Sequence, residues 1–361
     1  MRSHAKDKRV VVNYQDGIGR HRETTTCRGA ALRYCEMPHF SASHAVRWAL
    51  MAAALTTAAC AGPRVSTPRP SGVSLPDTVR VSVAGRVTRI PLEEYVYGAA
   101  LSEIVPTGQT PATVQRVYEV QTILARTWSV AHLGRHRAEG FDFCDTTHCQ
   151  LYEPARTRTS SFRVPAETAA RATRGRILLY QQRTIEGLFH ADCGGHTALP
   201  SQAWGGTNYP YLPAQPDDLG DGPHRTWQFE ASLEEWRTTL NRDPRTAVGS
   251  QFTGLEVTRT APGGRVTEVR LTGTAEKRVS GETLRTVVVA DRGARSVLSS
   301  LFTARRNGAT LRLSGRGFGH GVGLCQVGAM ARARRGDSVS AILGFYFPGA
   351  AIFLPQAGKQ N

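Results

Sequence analysis

The chain has 361 residues, 40% of them hydrophobic, with 36 glycines and 19 prolines. That composition excludes a fibrous or wholly disordered protein and fits a loop-rich globular one with room for a substantial core. The formal net charge is +16, but no compact basic run is interleaved with aromatic residues, so the pattern argues against nucleic acid and for an anionic polymer or membrane surface.

Part of the charge belongs to the N-terminal region. Trp48 to Ala59, WALMAAALTTAA, is an apolar run of signal-peptide length, too short to span a membrane comfortably. Arg47 precedes it and small residues lead into Cys60. Thr57-Ala58-Ala59-Cys60 resembles a bacterial lipoprotein processing box, with Thr where such boxes usually carry Leu. The expectation is an exported chain, periplasmic or otherwise in the cell envelope, held to the membrane only through a lipid on Cys60; plain secretion is the alternative. Residues 1–36 are long for a prefix to a signal, and Met37 is an alternative start. Residues 61–76, rich in Pro and Ser, read as a tether, and residues 77–355 as the functional domain. Export would leave Cys144, Cys149, Cys193 and Cys325 where disulfides are permitted.

Val79 to Ile90 predicts a β-hairpin around Ala84-Gly85-Arg86. Pro91 to Pro106, PLEEYVYGAALSEIVP, predicts a short helix with Pro91 as its first residue. Leu92, Val96 and Ala99 line one face of it, and the next step of that stripe lands on Glu103. A carboxylate there either frays into solvent or is partly buried, and burial would favour its neutral, acid form. Thr110-Pro111 opens a second helix running to Gly134, with Val117, Val120, Leu124, Trp128 and Ala131 inward. Further on, Thr168 to Arg174 reads as helix, Ile177 to Ala191 as a hairpin around Gln181-Gln182-Arg183, and Leu233 to Leu240 as helix. A hairpin turning at Pro262-Gly263-Gly264 and a strand from Thr310 to Leu313 follow. Strands outnumber helices and join by tight turns. The expected class is therefore α+β, mostly antiparallel, one large domain with room for two subdomains around a groove.

Three constellations could carry chemistry. Gly315, Gly317, Gly319, Gly321 and Gly323 alternate around His320 just before a helical pattern, which suits a close-packed loop lining a sugar groove. Cys144, His148 and Cys149, with His132 and His136 upstream, suit tetrahedral zinc of the structural kind; a Cys144–Cys149 disulfide is the alternative. Cys193, beside Gly194-Gly195-His196, is either a nucleophile with His196 or His320 as base or half of a disulfide with Cys325.

The ordered set LEEYVYGAALSEI, VQTILARTW, CDTTHCQLY, HADCGGHT, WGG, YPYL, GRGFGHGVGLCQVGAMA and FYFPG resembles the stage II sporulation protein D and amidase-enhancer family, over roughly residues 78–354. The resemblance implies a peptidoglycan-active domain, with Glu103 in Ser102-Glu103-Ile104 standing at the family's catalytic acid. It also implies lytic transglycosylation, cutting between N-acetylmuramic acid and N-acetylglucosamine in peptide-stripped strands, and it strengthens the zinc reading of the Cys144–Cys149 loop. The alternative it carries is a non-catalytic module that binds glycan and activates a cell-wall amidase. His320, Gln326 and Tyr211 are expected to line the groove. Arg116 stands where the family has Glu, and Cys193 and Cys325 where sporulation members carry Ser.

A single acid suits this chemistry. A hydrolytic glycosidase needs two carboxylates. A transglycosylase uses the substrate's own 6-hydroxyl, so one Glu can act as acid and then base.

Overall fold

The computed structural model describes residues 73–217 and 222–354; the expected signal segment, Cys60 and most of the tether lie outside them. Among the described residues there are nine helices and fourteen strands, and seven of nine strand pairings are antiparallel, as an α+β chain requires. No described helix is long and apolar enough to cross a membrane.

The first hairpin pairs β1, Thr78–Val83, with β2, Arg86–Pro91. Its two-residue turn has Ala84 at φ 48° and Gly85 at φ 79°, the left-handed pair that matches strand twist. Pro91 ends β2 opposite Thr78 and serves as the N-cap of helix α1, Leu92–Glu103, rather than as its first residue. Its ring-fixed φ suits extended backbone, and as a terminal strand residue it forfeits no ladder bond. Glu93 and Glu94 in the first turn complement the helix dipole, and Ile104 leaves in extended conformation ahead of Pro106.

Helix α2, Pro111–Ala131, is the scaffold. Thr110 caps it, its Oγ1 accepting from the Thr113 N–H at 3.3 Å, with Pro111 in the first turn. The expected apolar face is buried, and so are Gln121, Thr122, Arg126, Thr127 and Ser129. Polar side chains are tolerated there because they are bonded. Thr127 Oγ1 accepts from the Leu178 N–H at 3.0 Å, and Thr122 Oγ1 donates to Tyr118 O at 2.8 Å. Arg126, fully buried, donates through Nε to Glu93 Oε1 at 3.0 Å and through Nη1 to Arg176 O at 3.0 Å. Glu93 Oε1 also accepts from the Gly175 N–H at 3.3 Å. One ion pair thus ties α1, α2 and the segment entering the Ile177–Tyr180 strand.

The 177–191 hairpin is shorter than expected. Ile177–Tyr180 pairs with Arg183–Thr184 through Gln181 and Gln182, both at positive φ. The chain then leaves, and Phe189–His190 pairs in parallel with Leu324–Cys325. Gly187 permits that departure, since a Cβ there would lie 3.0 Å from Leu124 O.

The described residues bury two hydrophobic clusters. One gathers α1, α2 and the C-terminal segment from Val322 to Phe347 around Tyr95, Ile123, Phe143 and Phe189. The other gathers Trp227, Trp236, Val266, Leu284 and Leu311 under the Trp227–Ser232, Phe302–Asn307 and Thr310–Gly315 sheet.

Replacing Arg126 with Met should lower stability by about 3 kcal/mol, because Glu93 is left half-desolvated without its cation. Urea unfolding of the two proteins measures this, and a loss under about 1 kcal/mol would mean the pair is not the tie described.

Candidate active site

Glu103 is the last residue of α1 and is 3% exposed. It does not fray. The stripe that pointed to it is not a single face, since everything from Gly98 to Glu103 is buried. The Cys144–Tyr152 loop lies across the helix end: the Leu151 N–H donates to Glu103 Oε1 at 2.9 Å, and the Glu153 N–H donates to Ser102 Oγ at 2.9 Å. Ser102 Oγ in turn donates to Gly98 O at 2.8 Å. Gly98 lets the loop approach, because a Cβ there would meet the Tyr152 ring at 2.5 Å.

Burial pushes the Glu103 carboxyl well above its ordinary value. The Leu151 N–H opposes that shift, Glu153 adds to it, and Arg156 opposes it. The C-terminal end of a helix also disfavours negative charge. With Oε1 accepting from Leu151, the proton belongs on Oε2, which is buried and unpartnered. An acid so held is a proton donor awaiting an acceptor.

Sequence reasoning missed the neighbours. Gln121 Nε2 is also buried without a hydrogen-bond partner, and Tyr95 Oη lies beside the buried Gln150 amide. Gln150 Nε2 donates to Ala125 O at 3.3 Å and Ser129 Oγ at 3.1 Å, and Gln326 Nε2 lies 3.5 Å from Gln121 Oε1. Gln121, Ala125 and Ser129 stand four apart on α2. A polar seam therefore runs along that helix from the Glu103 loop to Gln326. Gln121 and Gln150 fall inside the quoted motifs, so the signal was a buried amide at a core-facing helical position.

Gln326 opens the helix Gln326–Arg335 and so stands at one end of this seam. His320 is 1% exposed, between Trp204 (ring centroids 4.7 Å apart) and His190 (5.5 Å). Its Nδ1 accepts from the Val322 N–H at 3.0 Å, and burial lowers its pKa to about 3, so it is a neutral ring and no proton reservoir. Tyr211 is buried, stacked on Tyr209 at 5.3 Å, and its hydroxyl accepts from the Glu186 N–H at 3.3 Å. The hydrogen bonds of Tyr211 and His320 do not join those of Glu103.

His136, Cys144, His148 and Cys149 converge, each offering a ligand atom within 4.8 Å of the others. Cys149 Sγ lies 3.3 Å from His136 Nε2 and 3.9 Å from His148 Nδ1, and Cys144 Sγ lies 3.8 Å from His148 Nδ1. His136 Nδ1 faces Glu139 Oε1 at 2.5 Å, which fixes the tautomer and leaves Nε2 for the sulfurs. Two sulfurs and two imidazoles are a complete donor set for a closed tetrahedral metal site. Both cysteines are free thiols, and burial pushes Cys149 up to about 12. His132 stands apart, with Nε2 3.1 Å from Glu186 Oε2.

The arrangement gives no support to a Cys193 nucleophile. The Cys193 sulfur faces Asp217 O at 3.7 Å and Asp217 Oδ2 at 3.6 Å, whereas His196 Nδ1 lies against Thr197 O at 2.7 Å and His320 Nδ1 accepts from the Val322 N–H.

Comparison with known proteins agrees with this layout. Residues 82–180, which hold α1, α2 and the Cys144–Tyr152 loop, match the model of a family described as stage II sporulation protein. Residues 221–323 match a domain of unknown function. Stage II sporulation protein D of Bacillus subtilis is 29% identical over 79% of this chain and 80% of its own length. The protein of the same name from Bacillus amyloliquefaciens is 28% identical over 74% of this chain and 75% of its own. The amidase enhancer of Bacillus subtilis is 24% identical over 70% of this chain but 40% of its own length. The chain thus matches the stage II sporulation protein family over residues 82–180 and is similar, over most of its length, to stage II sporulation protein D and to the amidase enhancer.

Proposed function

We propose that the protein acts on peptidoglycan in the cell envelope as a lytic transglycosylase, with Glu103 as its acid and base. The observation that carries this is the buried carboxyl of Glu103, anchored through Oε1 with Oε2 left unpartnered, a setting in which burial favours the protonated form. Oε2–H protonates the bridging oxygen between N-acetylmuramic acid and N-acetylglucosamine as that bond breaks. The resulting carboxylate then takes the proton of the muramyl 6-hydroxyl while the 1,6-anhydro ring closes. The seam of Tyr95, Gln121, Gln150 and Gln326 supplies donors and acceptors for sugar groups. Because Glu103 is closed off, the Cys144–Tyr152 loop must shift to admit a strand.

That closure is also what favours a second reading, in which the protein binds glycan and activates a cell-wall amidase without cutting. The relative named amidase enhancer supports it. Export and lipidation at Cys60 belong to both readings.

His136, Cys144, His148 and Cys149 are proposed to hold zinc. Those side chains would hold the ion as a structural cross-link of the loop that carries Leu151. The residues that follow the cluster do the positioning, Leu151 on Glu103 and Glu153 on Ser102.

On peptide-stripped glycan strands, Glu103→Gln should slow release of 1,6-anhydro-muramyl ends by roughly 10²- to 10⁴-fold, since it keeps the shape and removes the proton. Mass spectrometry of the products checks this. Equal amidase activation by both proteins, with no cleavage by either, would establish the second reading instead. Elemental analysis should find about one zinc per chain that Cys144→Ser loses, with faster amide exchange at Leu151. A mapped Cys144–Cys149 bridge and no metal would end the zinc proposal.

A further inference from the structure

Two cysteines remain that the proposed reaction does not use. Cys193 follows the Phe189–His190 strand, and Cys325 ends the Leu324–Cys325 strand paired with it. The Cys193 N–H donates to Cys325 Sγ at 3.1 Å, and the two sulfurs lie within 4.8 Å of each other. Both are buried, yet both line a polar cavity of about 210 Å³ whose wall includes the exposed Arg225 and Arg316. A small reagent in that cavity would reach two facing sulfurs held by loops 132 residues apart in sequence.

We propose that Cys193 and Cys325 form a disulfide in the mature protein, closing a covalent link between the HADCGGHT loop and the glycine-rich loop. One thiolate attacks an external disulfide and expels a thiolate, which takes up the proton released. The second protein thiol then loses its proton to water and attacks the mixed disulfide, expelling the second external thiolate, which takes that proton up. In balance, two protein thiols and one oxidised small disulfide give one cystine and two small thiols.

The surroundings accommodate the change. The Cys193 thiol faces Asp217 O at 3.7 Å and Oδ2 at 3.6 Å, but Asp217 is already held by Arg332 Nη1 at 2.7 Å and Tyr346 Oη at 2.7 Å. Loss of the thiol proton therefore strands no carboxylate. Cys325 Sγ accepts from two backbone amides, Cys193 and Gly328, and as a donor gives up only a long contact to Ala191 O at 4.0 Å, a carbonyl that also accepts from the Val327 N–H at 3.0 Å. Burial raises the Cys325 thiol, so the pair is slow to react and suits a structural bridge better than a nucleophile.

His190 makes a metal the rival occupant. Its Nδ1 bonds Val322 O at 3.2 Å, and its Nε2 is buried and unpartnered near both sulfurs. Against a dication stands Arg265, itself 2% exposed, whose guanidinium donates to Ser300 Oγ, Gly319 O and Cys193 O, the last at 3.2 Å. Glu282 offsets part of that charge, but a fixed buried cation beside the sulfurs still disfavours a second one.

The test is independent of export and of cleavage. The purified full chain is equilibrated with oxidised glutathione, unfolded, alkylated and mapped without reduction. A Cys193–Cys325 peptide pair is expected, with a melting temperature on the order of 10 °C higher than in reductant, as closing so long a loop implies. Cys193→Ser and Cys325→Ser should melt alike with and without reductant. Should either variant fail to fold, the wild-type map decides alone. Both thiols free after oxidation, either one joined to glutathione or another cysteine, or zinc that Cys193→Ser loses, would each overturn the proposal.

Discussion

One backbone amide decides what Glu103 can be. The Leu151 N–H holds Oε1, so the carboxyl has a fixed orientation, but a single donor cannot repay the loss of water around a buried charge. At the end of α1 the helix dipole adds to the penalty. Burial consequently favours the acid form, held through Oε1 with Oε2 left unpartnered. Much of the first cluster serves that geometry. Arg126 and Glu93 set α1 against α2, Gly98 admits Tyr152, and pairing of Phe143–Cys144 with β1 brings the loop to the helix end.

Local signals made a good part of this legible. Caps and breakers placed α1, α2 and the Leu233–Leu240 helix to within a few residues, because Pro, Thr and Ser at helix entries act through their own backbone. The helix stripe and the family motif both lead to Glu103. The burial expected from the stripe is there, but for a different reason, since tertiary packing buries nearly the whole C-terminal half of α1. Not legible were the parallel pairing of Phe189–His190 with Leu324–Cys325, 135 residues apart at Phe189 and Leu324, and the amides that form the seam. Non-local pairings leave no mark on spacing. The helix Gly281–Arg292 was missed although Ser280 caps it and Leu284, Val287 and Val288 are its buried face.

Cysteine placement separates two kinds of sulfur chemistry within one fold. The Cys144–Cys149 pair is interleaved with imidazoles whose ring nitrogens point at the sulfurs, the pattern of a metal site. The Cys193–Cys325 pair sits beside a buried guanidinium, a fixed positive charge that a neutral bridge leaves undisturbed. Spacing alone could not distinguish them, because the deciding neighbours come from distant segments.

The central claim is that Glu103 is a neutral acid, and its carboxyl carbon can report that directly. Carbon-13 NMR titration, with Glu103→Gln used to assign the signal, should show it ionising well above the ordinary 4.5. Because the folded value is raised, the stability Glu103 contributes is full below 4.5 and lost as pH climbs through the folded value. The advantage of wild type over Glu103→Gln should therefore shrink over that window. Ionisation at or below 4.5 would mean a carboxylate at neutral pH, and Glu103 could not be the proton donor.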